Sequence, residues 1–399
     1  MKRLAGALLI VAVTTPRGTL SSQEFSRWSA FCQSVEHTAG IALGDLDGDG
    51  DLDVIFANGR HVAEPDWVLS NDGRGTFYGR RALESQPDRS YGIALGDLDG
   101  NGTLDAVVAN DAGNRSVVYR NDGVGNFTAI AGLGSGAPSE ARRAVALADV
   151  DRDGDLDAIL VGDGQDHIYL NENAGRQWTQ RPLGSGNGRS LSVAAQDLNA
   201  DGAPDIVVAT RGPGRIVVHL NDGRGGFPTT QLLEHAGLDP TGVALGDIDG
   251  DNDPDIVAVS WERPHRIHLN DGRGRFVESR SFGSGAEQAW SVALGDIDLD
   301  GDLDAVVGAA NVGWWHDDFD GDGVPDRFGN ESRVAPSRIY VNDGTGRLTA
   351  GAPVGTGHDD TRPIALGDLD GDGDLDIVIG NDCQPNYVFF NPLRPTRPR

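Results

Sequence analysis

The chain has 399 residues, 57 of them glycine, 38% hydrophobic residues and a formal charge of −28. So acidic a balance argues against nucleic-acid binding, which needs a basic footprint, and leaves divalent cations as the obvious partner. Lys2 is the only lysine, which excludes mechanisms built on a lysine Schiff base or a phosphate-loop lysine.

Residues 1–18 read as a secretory signal. Lys2 and Arg3 precede an apolar run, Leu4 to Val13, that is too short to span a bilayer. An uncleaved anchor is the alternative. Export to a secreted or extracytoplasmic location is therefore expected, with no transmembrane segment after signal removal.

From there the chain repeats one unit seven times. The pattern apolar-Ala-x-x-D-x-D/N-x-D/N-x-x-x-D starts at Asp45, Asp97, Asp149, Asp197, Asp247, Asp296 and Asp368. A period near 50 residues is what four short strands and their turns need, so the expectation is an all-β, seven-bladed β-propeller of four-stranded antiparallel blades. Within a unit, a strand such as residues 41–44 leads into the acidic loop. A continuous apolar run such as 54–57 follows, and it should be buried on both faces between blades. A third strand, for example 216–220, ends in Asn221-Asp222-Gly223, a tight-turn signal, and Phe227 opens the fourth. Alanine stands three residues before every loop, from Ala42 to Ala365, as a crowded innermost strand would require.

The last unit stops at Asn391 without a fourth strand, leaving an edge to be paired. Residues 24–31 supply it: Phe25 lies 20 residues before Asp45, as Phe77 does before Asp97. The propeller thus spans 24–391, with 392–399 as a tail, and the N-terminal strand completes the last blade. Mapping the closing hairpin onto the fourth unit sets Cys32 opposite Cys383, so a disulfide between the only two cysteines is expected.

The loops have the chemistry of a hard-cation site, because carboxylates at alternate positions of a turning loop converge on one point. Asp45, Asp47, Asp49 and Asp53 occupy positions 1, 3, 5 and 9, Gly50 makes the turn, and Asp51 at position 7 offers its backbone carbonyl. The full set recurs as Asp149, Asp151, Asp153, Asp157; Asp296, Asp298, Asp300, Asp304; and Asp368, Asp370, Asp372, Asp376. The fifth loop has Asp247, Asp249, Asp251 and Asp255, with Asn252 in place of glycine. The second (Asp97, Asp99, Asn101, Asp105) and fourth (Asp197, Asn199, Asp201, Asp205) each trade one carboxylate for an amide and should bind more weakly. An insertion at about 311–333 carries an eighth loop, Asp318, Asp320, Asp322 and Asp326. Phe56 at position 12, where an EF-hand has a bidentate Glu, rules that motif out. Without counter-ions such crowded carboxylates repel, so seven to eight structural Ca2+ ions are expected, with affinities of roughly 10⁻⁴ to 10⁻³ M.

These residues resemble the FG-GAP or VCBS repeat family, which includes the propeller of integrin α subunits. The resemblance implies that the calcium loops join the first and second strands on one face as scaffold, and that ligands meet the opposite face. Candidates there are Arg89, Tyr91, Arg143, Arg189, Trp290 and Arg362, at positions six or eight residues before the loops that vary among otherwise uniform copies, together with Trp261 as an aromatic of the same face. Two functions are weighed. One is a monomeric binding or adhesion module for an extracellular glycan or protein; the other is a polysaccharide lyase or hydrolase. The chain lacks H-E-x-x-H, G-x-S-x-G and C-x-x-C, and binding is favoured. A convergent His or Arg cluster with carboxylates at the channel mouth would mark a lyase, and an aromatic, polar ring a binder.

Overall fold

The apolar run after each acidic loop forms a strand with no solvent-facing side. Asp53–Asn58, Asp105–Asn110, Asp255–Ser260 and Asp304–Ala309 are buried at every residue, as a strand sandwiched between two neighbouring sheets must be. This computed structural model describes residues 27–392, apart from 32–35, 61, 85, 112, 138–139, 212–213, 235–238, 311–334, 356 and 358. The signal segment, Cys32 and the insertion loop with Asp318, Asp320, Asp322 and Asp326 lie outside the described residues.

In the first unit Glu36–Gly44 pairs with Asp53–Asn58, that strand with Trp67–Asn71, and Trp67–Asn71 with Phe77–Ala82, all antiparallel. Among the described residues the pairings resolve into seven such four-stranded units, compatible with the expected seven blades, and there is no helix. In the middle of the chain two long strands serve more than one position. Asp157–Glu172 covers the second and third places of the third unit, and Gln177–Gln196 ends that unit and opens the next.

The first strands contact one another in sequence: Glu36–Gly44, Ser90–Gly96, Arg142–Ala148, Gln177–Gln196, Pro240–Gly246, Ala289–Gly295 and Thr361–Gly367, which returns to Glu36–Gly44. Their approach is close. A Cβ on Gly40 would lie 3.1 Å from the Gly92 Cα, and one on Gly44 would lie 2.5 Å from the Leu104 side chain of the next unit.

The apolar core is accordingly divided among the seams between units. Leu46, Ile55 and Val68 of the first unit pack with Ala106, Val108 and Tyr119 of the second, and Val54, Phe56 and Leu69 pack with Leu369, Val378 and Phe390 of the last. Each seam is a small hydrophobic core, so truncating Phe56 to alanine is expected to cost about 3–5 kcal/mol.

Arg27–Ala30 lies antiparallel to Tyr387–Phe390 with Arg27 opposite Phe390 and Ala30 opposite Tyr387. The N-terminal segment is therefore the outer strand of the last unit, as its spacing predicts. The partner expected for Cys383 is Cys32, which is not among the described residues; the Cys383 Sγ stands 2.9 Å from His37 Nε2.

Candidate functional site

Each acidic loop is folded by its own carboxylates. Asp45 Oδ1 accepts from the Gly48 N–H at 2.7 Å and its Oδ2 from the Gly50 N–H at 3.2 Å, wrapping the turn around the first aspartate. Gly50 has a φ of 95°, and Asn252, the one replacement for this glycine, takes 71°, in the left-handed region that Asn tolerates. Asp53 at the ninth position is fully buried: its Oδ2 accepts from Leu46 N–H at 3.1 Å and its Oδ1 from Asn71 N–H at 2.8 Å. The same two bonds recur at Asp105, Asp157, Asp205, Asp255, Asp304 and Asp376. The ninth aspartate ties the loop to the third strand, and each of its oxygens retains a lone pair.

The third position behaves differently. The Oδ1 atoms of Asp47, Asp99, Asp151 and Asp249 are buried and accept no hydrogen bond. Carboxylate oxygens of Asp45, Asp47 and Asp53 lie within 4.8 Å of one another, as do those of Asp97, Asp99 and Asp105, of Asp149, Asp151 and Asp157, and of Asp247, Asp249 and Asp251. A buried carboxylate oxygen without a donor is costly, and its recurrence in four loops beside two further carboxylates is an arrangement that could hold a hard cation. Burial pushes the carboxyls of Asp157, Asp304 and Asp376 up to about 7 and those of Asp53, Asp205 and Asp255 up to about 6. Backbone N–H groups oppose the rise and the other loop acids add to it. Asp374, at position 7 of the last loop, is raised to about 8 by burial and then by Asp372 and Asp376.

Sequence reasoning took the Asn of Asn-Asp-Gly as a turn residue only, and the structure gives it a second task. Asn121 Nδ2 donates at 2.8 Å to the carbonyl of Leu46, in the acidic loop of the preceding unit. Asn171, Asn221, Asn270, Asn342 and Asn391 do the same to Leu98, Val150, Leu198, Ile248 and Ile297. The signal was present: a turn alone would accept Asp or Gly, yet Asn stands at all seven positions.

At the other end of the first strands, away from the acidic loops, the units diverge. A cavity of about 250 Å³ opens there, lined by Arg60, Tyr91, Arg143, Arg189, Thr241, Trp290 and Arg362 among others, with no carboxylate in its wall. Of the seven candidates from sequence, Tyr91, Arg143, Arg189, Trp290 and Arg362 line it together. Arg89 is solvent-exposed and outside the wall. Trp261 is buried behind it, edge-on to Trp290 at 5.4 Å. Arg60 was missed, because it follows the second strand of one unit and has no counterpart at that place in the repeat.

Carboxylates outside the cavity wall pair with the arginines. Arg143 meets Asp163 at 3.2 Å and Asp111 at 3.5 Å; Arg362 meets Asp360 at 3.1 Å and Asp382 at 3.3 Å; Arg60 also pairs with Asp382. Burial raises the Asp382 carboxyl, but Arg60 and Arg362 outweigh it and hold it at about 2. Arg143 lies over the Tyr91 ring at 4.2 Å and Arg362 over Trp290 at 4.5 Å, cation–π distances that fix the guanidinium planes. Burial pushes the Tyr91 phenol above its ordinary value, against the pull of Arg143 and Arg60.

The profile of the FG-GAP-like repeat matches residues 45–108, 97–160, 149–208, 197–258, 251–307 and 318–379. The chain belongs to the FG-GAP-like repeat family. Most FG-GAP-like matches begin on the first aspartate of an acidic loop, and the last begins on Asp318 of the insertion. No curated protein matches this chain. Among solved structures it is similar to an Agrocybe aegerita lectin described as recognising non-reducing terminal N-acetylglucosamine, at 20% identity, TM-score 0.54 and 80% coverage of both chains. It is also similar to BBS1N from a complex with ARL6DN, at 12% identity and TM-score 0.60, covering 92% of this chain and 96% of that one. A third is YCF48 from Cyanidioschyzon merolae, at 12% identity and TM-score 0.55, covering 91% and 98%. At these identities the likeness speaks for the propeller fold of this FG-GAP-like chain and for nothing finer.

Proposed function

We propose that this protein is an exported binding module, a propeller stabilised by calcium in its acidic loops, which takes an extracellular glycan or protein at the mouth of its central channel. The observation that carries the reading is the contrast between the two ends of the repeat. The loop end is the same in every unit, as scaffold would be, whereas the other end differs from unit to unit and converges on one cavity.

Calcium would be held by side-chain oxygens at positions 1, 3 and 9 of each loop, helped by position 5; the buried position-3 oxygens of Asp47, Asp99, Asp151 and Asp249 need a positive partner. Bound calcium supplies only charge compensation. The chain itself sets the loop through the Gly48 and Gly50 N–H groups and anchors it through Asp53.

A lyase reading gains from the arginines and carboxylates gathered at the mouth. It loses on proton chemistry: no histidine or carboxylate lines the cavity among the described residues, and the Tyr91 phenol is pushed toward its protonated form. Binding is the better account. The test is an array of glycans and extracellular-matrix proteins probed with wild type and with Trp290→Ala, alongside incubation with acidic polysaccharides. Signal lost in the variant supports the reading, and signal that survives it moves the site elsewhere. Unsaturated products from a polysaccharide would replace binding with cleavage.

A further inference from the structure

We infer that the channel mouth selects a carboxylate-bearing sugar, a single uronate-like residue at the end of or within a glycan; this rests on the binding function proposed above. The first reason is charge. In a chain of net charge −28, the cavity wall contains Arg60, Arg143, Arg189 and Arg362 and no acidic side chain. The carboxylates that pair with these arginines are not part of the wall, so a group inside the cavity contacts guanidinium and not aspartate. A protein whose overall field repels anions needs a cationic lining of this kind to hold one.

The second reason is an excess of donors. Arg143 Nε, Arg362 Nε and Nη1, and the Trp290 indole N–H are buried without an acceptor, although Arg143 and Arg362 each contact two carboxylates through Nη2. Four unmatched N–H groups beside one cavity favour a ligand made of acceptors. A carboxylate offers four lone-pair sites to guanidinium forks, and sugar hydroxyls offer more.

Size and shape argue for a sugar over an acidic peptide. The cavity of about 250 Å³ is smaller than a drug-sized pocket, and Tyr91 and Trp290 give it aromatic walls. An extended peptide would instead need a groove. Arg143 and Arg362 are held against those rings at 4.2 and 4.5 Å, so the donors are ordered before the ligand arrives.

The experiment is calorimetric titration of the calcium-loaded protein with D-glucuronate and D-galacturonate, against D-glucose, D-galactose and a tri-glutamate peptide. The expected result is uronate binding that weakens with salt, falls about 10- to 100-fold in Arg362→Gln, and has no counterpart with the neutral sugars. Because Arg362 is buried and doubly paired, Arg189→Gln, whose side chain is 39% exposed, serves as a second variant that leaves folding intact. Neutral sugars that bind as well as uronates, in a Trp290-dependent manner, would overturn the acid preference while keeping the mouth as the binding site. Preference for tri-glutamate would overturn it in favour of a peptide. Absence of uronate binding overturns it too, and an array signal indifferent to both Trp290→Ala and the arginine variants would remove the underlying reading as well.

Discussion

The Asn71 side-chain amide donates at 2.8 Å to the carbonyl of Leu369, 298 residues further along the chain. It is the same bond that each later unit makes to its predecessor, here made by the first unit to the last, so the ring is closed by the repeat's own internal contact. The second N–H of Asn71 reaches the carbonyl of Leu52 at 3.1 Å. Replacing Asn71 with alanine should leave the buried Leu369 carbonyl and the half-buried Leu52 carbonyl short of a donor and cost roughly 1–3 kcal/mol. Asn71→Asp should cost more, since it sets a carboxylate against both carbonyls. Urea unfolding in saturating calcium checks the order; an aspartate variant as stable as wild type would mean that the bond does not hold the seam.

Calcium removal should lower the melting temperature, because a ligand bound only by the folded state stabilises it by mass action. The loops should not respond alike. The fourth has Asn199 where the others have aspartate, so Asn199→Asp should shift part of the calcium titration to lower concentration and raise the melting temperature further in excess calcium than wild type shows. Metal analysis after dialysis, together with calorimetry in chelator, reads both effects. A melting temperature indifferent to chelator would remove calcium from the account.

Much of this molecule is legible in its sequence because a repeat states its rules seven times. The burial of Asp53–Asn58, the outer-strand role of Arg27–Ala30 and the placement of the acidic loops all follow from periodicity and composition. The mouth was half legible. Variation at one repeat position pointed to Tyr91, Arg143, Trp290 and Arg362, but the same reasoning brought in Arg89, which faces solvent. Arg60 was invisible, because its link to Asp382 joins residues 322 apart and depends on ring closure, which no local pattern encodes. The second role of the asparagines was hidden for a similar reason: their acceptors are backbone carbonyls of another unit, and a carbonyl leaves no mark in sequence.

A buried acid in the first unit gives a pH dependence whose sign can be worked out. Burial pushes the Glu84 carboxyl up to about 7, with the Asp66 N–H opposing and Asp88 adding to the rise; Asp66 itself is raised by burial and then by Glu84. A folded value above the ordinary 4.5 means that the folded state holds this proton more tightly. The contribution to stability is therefore complete below about pH 4.5 and is lost as pH rises through about 7. Glu84→Gln keeps an oxygen for the Asp66 N–H and removes the charge, so it should be more stable than wild type at pH 8 and about equal at pH 4. Urea midpoints for the pair across this range, in calcium, give the difference. An advantage that grew toward acid would contradict the assignment.

The closing strand makes the last prediction. Arg27–Ala30 is the only partner of the outer edge of Tyr387–Phe390 among the described residues, and the adjoining Phe31 packs against Phe56 at 4.9 Å and Phe77 at 4.5 Å between ring centroids. Removing residues 1–31 would expose a row of unpaired backbone groups beside an apolar seam, the arrangement that recruits a strand from another molecule. The truncated protein should unfold at lower denaturant concentration and elute from a sizing column as dimers or larger species, whereas the full chain is expected to elute as a monomer. Adding a peptide of residues 24–31 in excess should return the truncated protein toward monomer, because it can fill the vacant edge with its native register, Arg27 opposite Phe390. If truncation changes neither stability nor size, the N-terminal strand is ornamental and the ring is held by the asparagine bonds and the seams alone.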